Sequence, residues 1–293
     1  MAAIPVVFDR RLVRLRRERA LATLAAHGFL HDAAAERLAD RLDDIRRDFP
    51  LAVELGSRGG ALAHAVAGRG GIATLIQTDL SPATLGALAG SRVALDEEAL
   101  PFAPQSLDLV LGCLALNEVN DLPGVLVQIR RALKPDGLLL ASLLGPATLG
   151  ELRAAVAEAE AATLGGISPR VAPFADAAEL GALMQRAGFA LPVVDSDRVA
   201  VDYAEAWDLL RDLKGMGAGN ALTDRRRVPM RRATLAAIVE ALTRRFADPA
   251  TGRVRATFEI VTLTGWAPAA SQPRPKPRGS ARASLKRALE GGP

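Results

Sequence analysis

The chain has 293 residues, 49% hydrophobic and 24% charged, which supplies a sizeable core and excludes global disorder. The formal net charge is +4 with only 4% aromatic residues. The excess sits in one segment, where Arg274, Lys276, Arg278, Arg282, Lys286 and Arg287 face only Glu290, so residues 1–270 are near neutral and suit no nucleic-acid surface.

One cysteine, Cys113, allows no intrachain disulfide and fits a reducing compartment; it lies in an apolar run, as a buried structural thiol would. Residues 10–19 are too rich in arginine for a secretory leader. The longest uncharged apolar run, residues 137–150, is too short for a bilayer and contains Pro146. We expect a cytoplasmic protein.

In chain order, residues 11–27 and 33–47 read as helices. The first is basic and amphipathic, with Leu12, Leu15, Leu21 and Leu24 among arginines. That form is compatible with an anionic surface at the inner membrane face, although a solvated covering helix is the commoner use. A strand at 51–55, a glycine turn and a helix at 61–67 come next. A second strand, 73–78, ends at Asp79; Ser81 and Pro82 then cap and open another helix. Short strands follow near 92–95 and at 107–112, then a helix at 122–133, the turn Lys134-Pro-Asp-Gly137 and a fifth strand at 138–142. Short apolar runs alternating with amphipathic ones are the mark of a doubly wound parallel sheet.

Beyond residue 145 the rhythm changes. A helix is expected at 146–162, a Gly/Pro loop at 163–175, a helix at 177–187 and a strand at 190–195. Residues 204–246 read as mainly helical, interrupted by Gly215-Met-Gly-Ala-Gly219, and 254–264 as a strand. The expected division is N-terminal helices (1–48), a core with the ligand site (49–144), a helical insertion over the substrate side (145–250), a terminal core strand (251–267) and a basic flexible tail (268–293).

The first βα turn carries the strongest chemical signal. Gly56, Gly59 and Gly60 lie between a strand and a helix, where backbone amides and a helix N-terminus can approach a ligand. Asp79 ends the second strand about 20 residues on, in the place of an acid that accepts from both ribose hydroxyls. These features point to a nucleotide site at the carboxyl ends of the strands.

Glu54-Leu55-Gly56 with Gly60, Asp79, the pair Asp96-Glu97, Leu107-Asp-Leu-Val and Leu133-Lys-Pro-Asp-Gly137 together resemble the class I S-adenosylmethionine (SAM) methyltransferases. The resemblance implies a Rossmann-like, seven-stranded mixed sheet with a mostly helical insertion, and SAM as cofactor. It implies cofactor contacts from Glu54, Gly56, Ser57, Gly60, Asp79, Leu80, Asp96, Glu97 and Asn117. Within that superfamily the chain is similar to the group holding the malonyl-carrier-protein O-methyltransferases and the complex I assembly factors described as arginine hydroxylases. The segments that carry this include Phe8-Asp-Arg10, Val119-Asn-Asp-Leu-Pro123, Thr148-Leu-Gly-Glu-Leu-Arg153, Ser168-Pro-Arg-Val-Ala-Pro-Phe174 and Asp212-Leu-Lys-Gly-Met-Gly217. The likeness extends to Arg278-Gly-Ser280 and so covers nearly the whole chain.

Two positions depart from the family pattern. Arg58 stands where it has glycine, with Gly59 as a neighbouring compensation, and Asn117-Glu118 stand where it usually has His-Trp. Arg58 is expected to hinder a ligand, and a histidine acid/base is missing after the fourth strand. No catalytic residue is singled out. Methyl transfer asks mainly for positioning, because the sulfonium is a good leaving group.

Other candidates are weaker. Gly215–Gly219 follows a helix, so it reads as an interhelix turn or a lid over the substrate side rather than a dinucleotide loop. His27 and His31 have metal-ligand spacing, but Gly28 interrupts the helix and a third ligand is not evident. Tyr203 and Trp207 are candidates for a substrate pocket, with the core edge as the commoner place.

Three readings follow from the resemblance: a SAM-binding protein that modifies a complex I subunit at an arginine or assists its assembly; a methyltransferase acting on a carboxylate such as that of a malonyl-carrier protein; and a degenerate fold serving as an assembly chaperone. The expected partner is a protein rather than a nucleic acid, with membrane contact, if any, through the basic N-terminal helix or the tail.

Overall fold

A computed structural model describes residues 5–273 and Ser280. Most of the expected tail, with its cations and the Arg278-Gly-Ser280 likeness apart from Ser280, lies outside the described residues.

The apolar runs form one mixed sheet of seven strands: β1 (Leu51–Leu55), β2 (Thr74–Asp79), β3 (Ser91–Ala94), β4 (Leu107–Cys113), β5 (Leu133–Leu144), β6 (Ala190–Tyr203) and β7 (Val254–Trp266). Their order is β3-β2-β1-β4-β5-β7-β6, with β7 antiparallel to both neighbours. The order reverses between β1 and β4, which makes the crevice beyond their carboxyl ends the topological switch point. The central strands are buried on both faces, as their near-continuous Leu/Val/Ile content requires.

The N-terminal region is three helices: α1 (Arg10–Ala20), α2 (Leu24–His27) and α3 (Phe29–Asp43). The single helix expected at 11–27 is broken because the Thr23 hydroxyl donates to the carbonyls of Ala20 and, at 2.9 Å, Gly215. The helix expected at 33–47 begins and ends four residues earlier. Leu38 and Leu42 of α3 are fully buried in the main core with Phe49, Ala52 and Leu109. Short α4 (Ala61–Ala65) and α5 (Pro82–Gly86) follow β1 and β2, and α6 (Leu122–Ala132) follows β4. The Ser81 hydroxyl accepts from the Thr84 N–H at the start of α5, as its cap role requires.

After β5 come α7 (Gly150–Leu164), α8 (Ala177–Arg186), β6, α9 (Ala206–Gly215) and α10 (Arg232–Phe246). Helix α7 starts at Gly150 rather than 146, because residues 147–149 are tied to β7 instead. The Ala147 N–H donates to Glu259 at 2.7 Å and the Leu149 N–H to the Thr257 carbonyl at 2.7 Å. Strand β6 runs eight residues past its expected end, drawn on by unbroken pairing with β7 from Val193 to Tyr203. Residues 216–231 are not helical. The expected turn at 134–137 lies within β5, with Asp136 at φ +60.

Candidate functional site

Strand β1 reaches the crevice at Gly56, whose φ is +66. A Cβ there would lie 2.6 Å from Ala115 Cβ, so glycine lets this turn close against the segment leaving β4. The buried Ser57 donates its N–H to the Thr78 carbonyl at 2.8 Å, and the Gly60 N–H closes on the Ser57 carbonyl at 2.7 Å. Gly60, at φ +77, is the N-cap of α4. Between them Arg58 adopts φ +37, a strained region for a residue with a Cβ. Gly59 does not relieve it: Gly59 has ordinary φ and faces Leu24, whose Cδ2 lies 2.7 Å from where a Cβ would stand. The Arg58 N–H donates to Asp79 Oδ2 at 3.2 Å, tying the turn to the end of β2.

Asp79, Asp96 and Glu97, the acids that the resemblance places at the nucleoside, lie close together, but they already hold cations. Arg17 of α1 donates to Glu97 Oε1 at 2.7 Å and approaches Asp79 Oδ1 at 3.4 Å. Arg10 donates to Asp96 Oδ1 at 2.7 Å, to Glu97 Oε2 and, at 3.1 Å, to the Glu118 carbonyl. Asp79 and Glu97 are fully buried, Arg17 is 4% exposed, and Asp96 is partly open. Burial alone would raise the Glu97 pKa; Arg17 and Arg10 outweigh it and hold Glu97 down to about 2. Burial works against the Arg17 charge, and Glu97 and Asp79 more than restore it, so its pKa is raised. Leu80 is half-buried between Asp79 and the Ser81 cap.

Arg10 entered the sequence reading only as part of Phe8-Asp-Arg10, with no role at the site, and Arg17 was not singled out. A signal was present for Arg17, which shares the buried stripe of α1 with Val13 and Ala20 at helical spacing.

Arg58 turns inward across the end of β4. Its guanidinium meets His31 Nε2 at 3.1 Å and Glu118 Oε2 at 3.3 Å. Burial and then the neighbouring Arg58 and Arg17 charges depress His31 to about 3, so the ring is neutral and accepts from Arg58. Glu118 is therefore an ion-pair partner rather than a solvated residue. Asn117 lines the cavity, but its amide is committed: Nδ2 donates to the Leu114 carbonyl at 3.0 Å and Oδ1 accepts from Leu144 N–H at 2.7 Å, joining the ends of β4 and β5. Glu54 is buried at the end of β1 with Oε2 lacking a partner. Burial, offset in part by Ser57 and reinforced by Asp79, raises its pKa to about 7. Cys113 is buried, its thiol pushed up to about 12 by burial. His27 pairs with Asp212 at 2.6 Å, so it and His31 serve separate partners.

Beyond Arg58 lies a cavity of about 150 Å³. Phe8, Leu149, Phe174 and Phe258 give it apolar walls, and Asn117, Glu118 and Arg58 line it with polar groups. The loop 165–175 closes one side, held by a residue the sequence reading missed. Glu160 of α7, fully buried, accepts from the Ser168 N–H at 2.7 Å, the Ser168 hydroxyl, and Arg170 Nε and Nη2 at 2.8 and 2.6 Å. One carboxylate thus holds both Ser168 and Arg170, and Asn220 Nδ2 donates to the Pro169 carbonyl between them at 2.7 Å. Met216, Ala218 and Gly219 of the glycine turn also line the cavity. Tyr203 and Trp207 do not: Tyr203 packs in the main core, and Trp207 is 38% exposed.

These residues fit SAM unevenly. The unpartnered buried Glu54 Oε2 beside the glycine turn suits a cofactor's amino-acid head. On the nucleoside side the acids are of the right type, but Asp79 and Glu97 are fully buried and already paired with Arg17, so a ribose does not reach them in this arrangement.

The description of a methyltransferase domain family matches residues 53–141. The chain is 36% identical over 286 residues to the mitochondrial arginine-hydroxylase NDUFAF5 of Danio rerio, covering 95% of this chain and 88% of that protein. It is 37% identical to the malonyl-[acyl-carrier protein] O-methyltransferase of Laribacter hongkongensis, covering 92% of each. Among solved structures, the YcgJ protein of Bacillus subtilis superposes with a TM-score of 0.55 at 13% identity, over 80% of this chain and 98% of that one, a likeness of fold. With the sheet order, the glycine turn and the acid-lined crevice, these likenesses show that the chain is an enzyme-type member of the class I SAM methyltransferase family, in the group that contains NDUFAF5 and the malonyl-carrier-protein O-methyltransferases.

Proposed function

We propose that this chain binds SAM and modifies an arginine of a respiratory complex I subunit, by hydroxylation, or holds that subunit during assembly. The observation that carries the reading is the cavity itself, where the Arg58 guanidinium rests against Glu118 between apolar walls. A space that seats one guanidinium against a half-buried carboxylate has the chemistry to receive another. The likeness to NDUFAF5 over 95% of the chain supports the choice of target.

Glu54 and the turn Gly56–Gly60 would hold the amino-acid end of SAM, with Asn117 at its side; Asp79, Leu80, Asp96 and Glu97 would hold the nucleoside. SAM would supply an electrophilic methyl group when bound, which serves methyl transfer; hydroxylation would instead take its oxygen atom from dioxygen and two electrons from a separate reductant. The chain's own residues exclude water with Phe8, Phe174 and Phe258 and orient a guanidinium at Glu118. The site of action is the cytoplasm, at the inner membrane face where complex I subunits assemble.

A second reading, methylation of a carboxylate on a malonyl-carrier protein, is supported by Arg58 and Arg170 on the cavity wall, since cations there suit an anionic acceptor. Mass spectrometry of complex I subunits from a strain lacking the gene tests the proposal. Loss of one oxygen from a subunit arginine is expected, and unchanged subunit masses would sink the hydroxylation reading. Loss of a methyl ester from an acyl-carrier protein in the same strain would favour the second.

A further inference from the structure

A groove of about 740 Å³ opens beside the cavity and shares lining residues with it. The two share Leu152, Arg170, Leu213 and the turn 218–220. The groove floor is aliphatic, with Val156, Leu210, Leu235 and Ile238. Among the described residues its charged lining has one sign: Arg16, Arg19, Arg170, Arg211 and Lys214, with no Asp or Glu. A smaller hollow that shares Arg170 and Met230 extends the run to Arg226 and Arg231.

This concentration is not a by-product of a basic chain, because residues 1–270 are near neutral overall. Nor are most of these cations consumed internally. Among the described residues Arg16, Arg19, Lys214, Arg226 and Arg231 form no ion pair, while Arg170 and Arg211 hold Glu160 and Asp208. Arg16 has a buried Nη1 without a partner. Its pKa is lowered, by burial and by Arg225 and Arg19 against the opposing pull of Glu118 and Asp9. An arriving carboxylate would relieve that repulsion.

We infer that this groove docks an acidic, partly apolar segment of a protein partner and leads it to the cavity at Glu118. The inference rests on the reading that the chain acts on a protein, and it names the chemistry of that partner's docking segment. Three features select a peptide. The floor is concave, so its aliphatic side chains reach an inserted chain and not a flat bilayer. Among the described residues no Phe, Tyr or Trp lines the groove for bases to stack on, and its one ring, His27, is held by Asp212. The cations flank an apolar floor, the arrangement that gives a peptide both affinity and charge-steered association.

Fluorescence anisotropy with the full-length protein tests the inference. The probes are a labelled 14-residue peptide of alternating Glu and Leu, its Lys–Leu counterpart, a 14-nucleotide single-stranded DNA and phosphatidylglycerol vesicles. The Glu–Leu peptide is expected to bind, with affinity falling about tenfold between 50 and 200 mM salt. The double variant Arg19→Glu, Lys214→Glu changes two exposed side chains and should weaken binding about tenfold or more with an unchanged circular dichroism spectrum. The Lys–Leu peptide should not bind. Absence of Glu–Leu binding, equal binding by the double variant, or tighter binding of DNA or vesicles would each overturn the inference. Acidic-peptide binding without the arginine mass change would leave the groove standing and remove the proposed function; the converse would do the reverse.

Discussion

Replacing Arg17 by Met tests the electrostatic account of the crevice. The change keeps the length of the buried stem against Val13 and Ala20 but removes the cation from Glu97 and Asp79. Glu97 is held at about 2 against an ordinary 4.5. At about 1.4 kcal/mol per unit, that depression corresponds to about 3 kcal/mol at neutral pH, shared between Arg17 and Arg10. Breaking a buried pair from one side costs about 3–5 kcal/mol, so a loss of about 3 kcal/mol is expected at pH 7. Because the folded pKa lies below the unfolded one, this stability is complete above about 4.5 and is lost as pH falls through about 2. The full depression loses about 2 kcal/mol between pH 7 and pH 3, so the variant's deficit should shrink by Arg17's share of that, about 1 kcal/mol or more. Urea unfolding followed by circular dichroism measures both values. A deficit below about 1 kcal/mol at pH 7, or one that does not change with pH, would mean that packing rather than charge holds α1 in place.

Three further outcomes follow from the same geometry. Arg58→Gly removes a side chain from a left-handed position and clears the crevice, so titration calorimetry should show SAM binding about tenfold tighter; an unchanged Kd would show that Arg58 does not obstruct the site. Glu54, with a folded pKa of about 7, keeps its proton in the folded state after the unfolded chain has released it. Stability from this group thus falls by about 3 kcal/mol as pH rises from about 4.5 through 7, and Glu54→Gln should remove that slope from unfolding curves taken at pH 5.5 and 8. Glu160→Gln leaves Arg170 without its carboxylate and should loosen residues 165–175, raising their amide exchange while the central strands stay protected; unchanged exchange in that loop would refute the clamp.

The parts of the fold that were legible in the sequence are those set by local chemistry. The run 51–55, the glycines of the next turn and the Ser81-Pro82 cap each place themselves, because strand burial, positive φ and capping are decided within a few residues. The acids of the crevice were legible for the same reason, since Asp79 ends a strand. Their occupation was not. Arg17 meets Asp79 and Glu97 across separations of 62 and 80 residues, and no local pattern records which acid a buried arginine will find. The expected end of β6 at Asp195 was wrong because Ser196-Asp-Arg198 is polar, yet the strand continues there as a sheet edge whose partner β7 decides its length. The start of α7 was misjudged because Glu259, more than 100 residues away, holds the backbone that Pro146 was expected to lead into a helix.

The docking of α1 also has a consequence in time. The segment that carries α1 leaves the ribosome before the groups that hold it, which are made much later. Glu97 follows Arg17 by 80 residues, and Thr223, whose hydroxyl donates to the Val6 and Val7 carbonyls, follows them by more than 210. At about 5–20 residues per second, synthesis leaves α1 without its last partners for roughly 10–40 s. During that interval a short helix dense in arginine, with an unsealed apolar face, is exposed to whatever acidic surface or chaperone lies near the ribosome exit. Closure of the crevice is thus a late event in the life of each new chain.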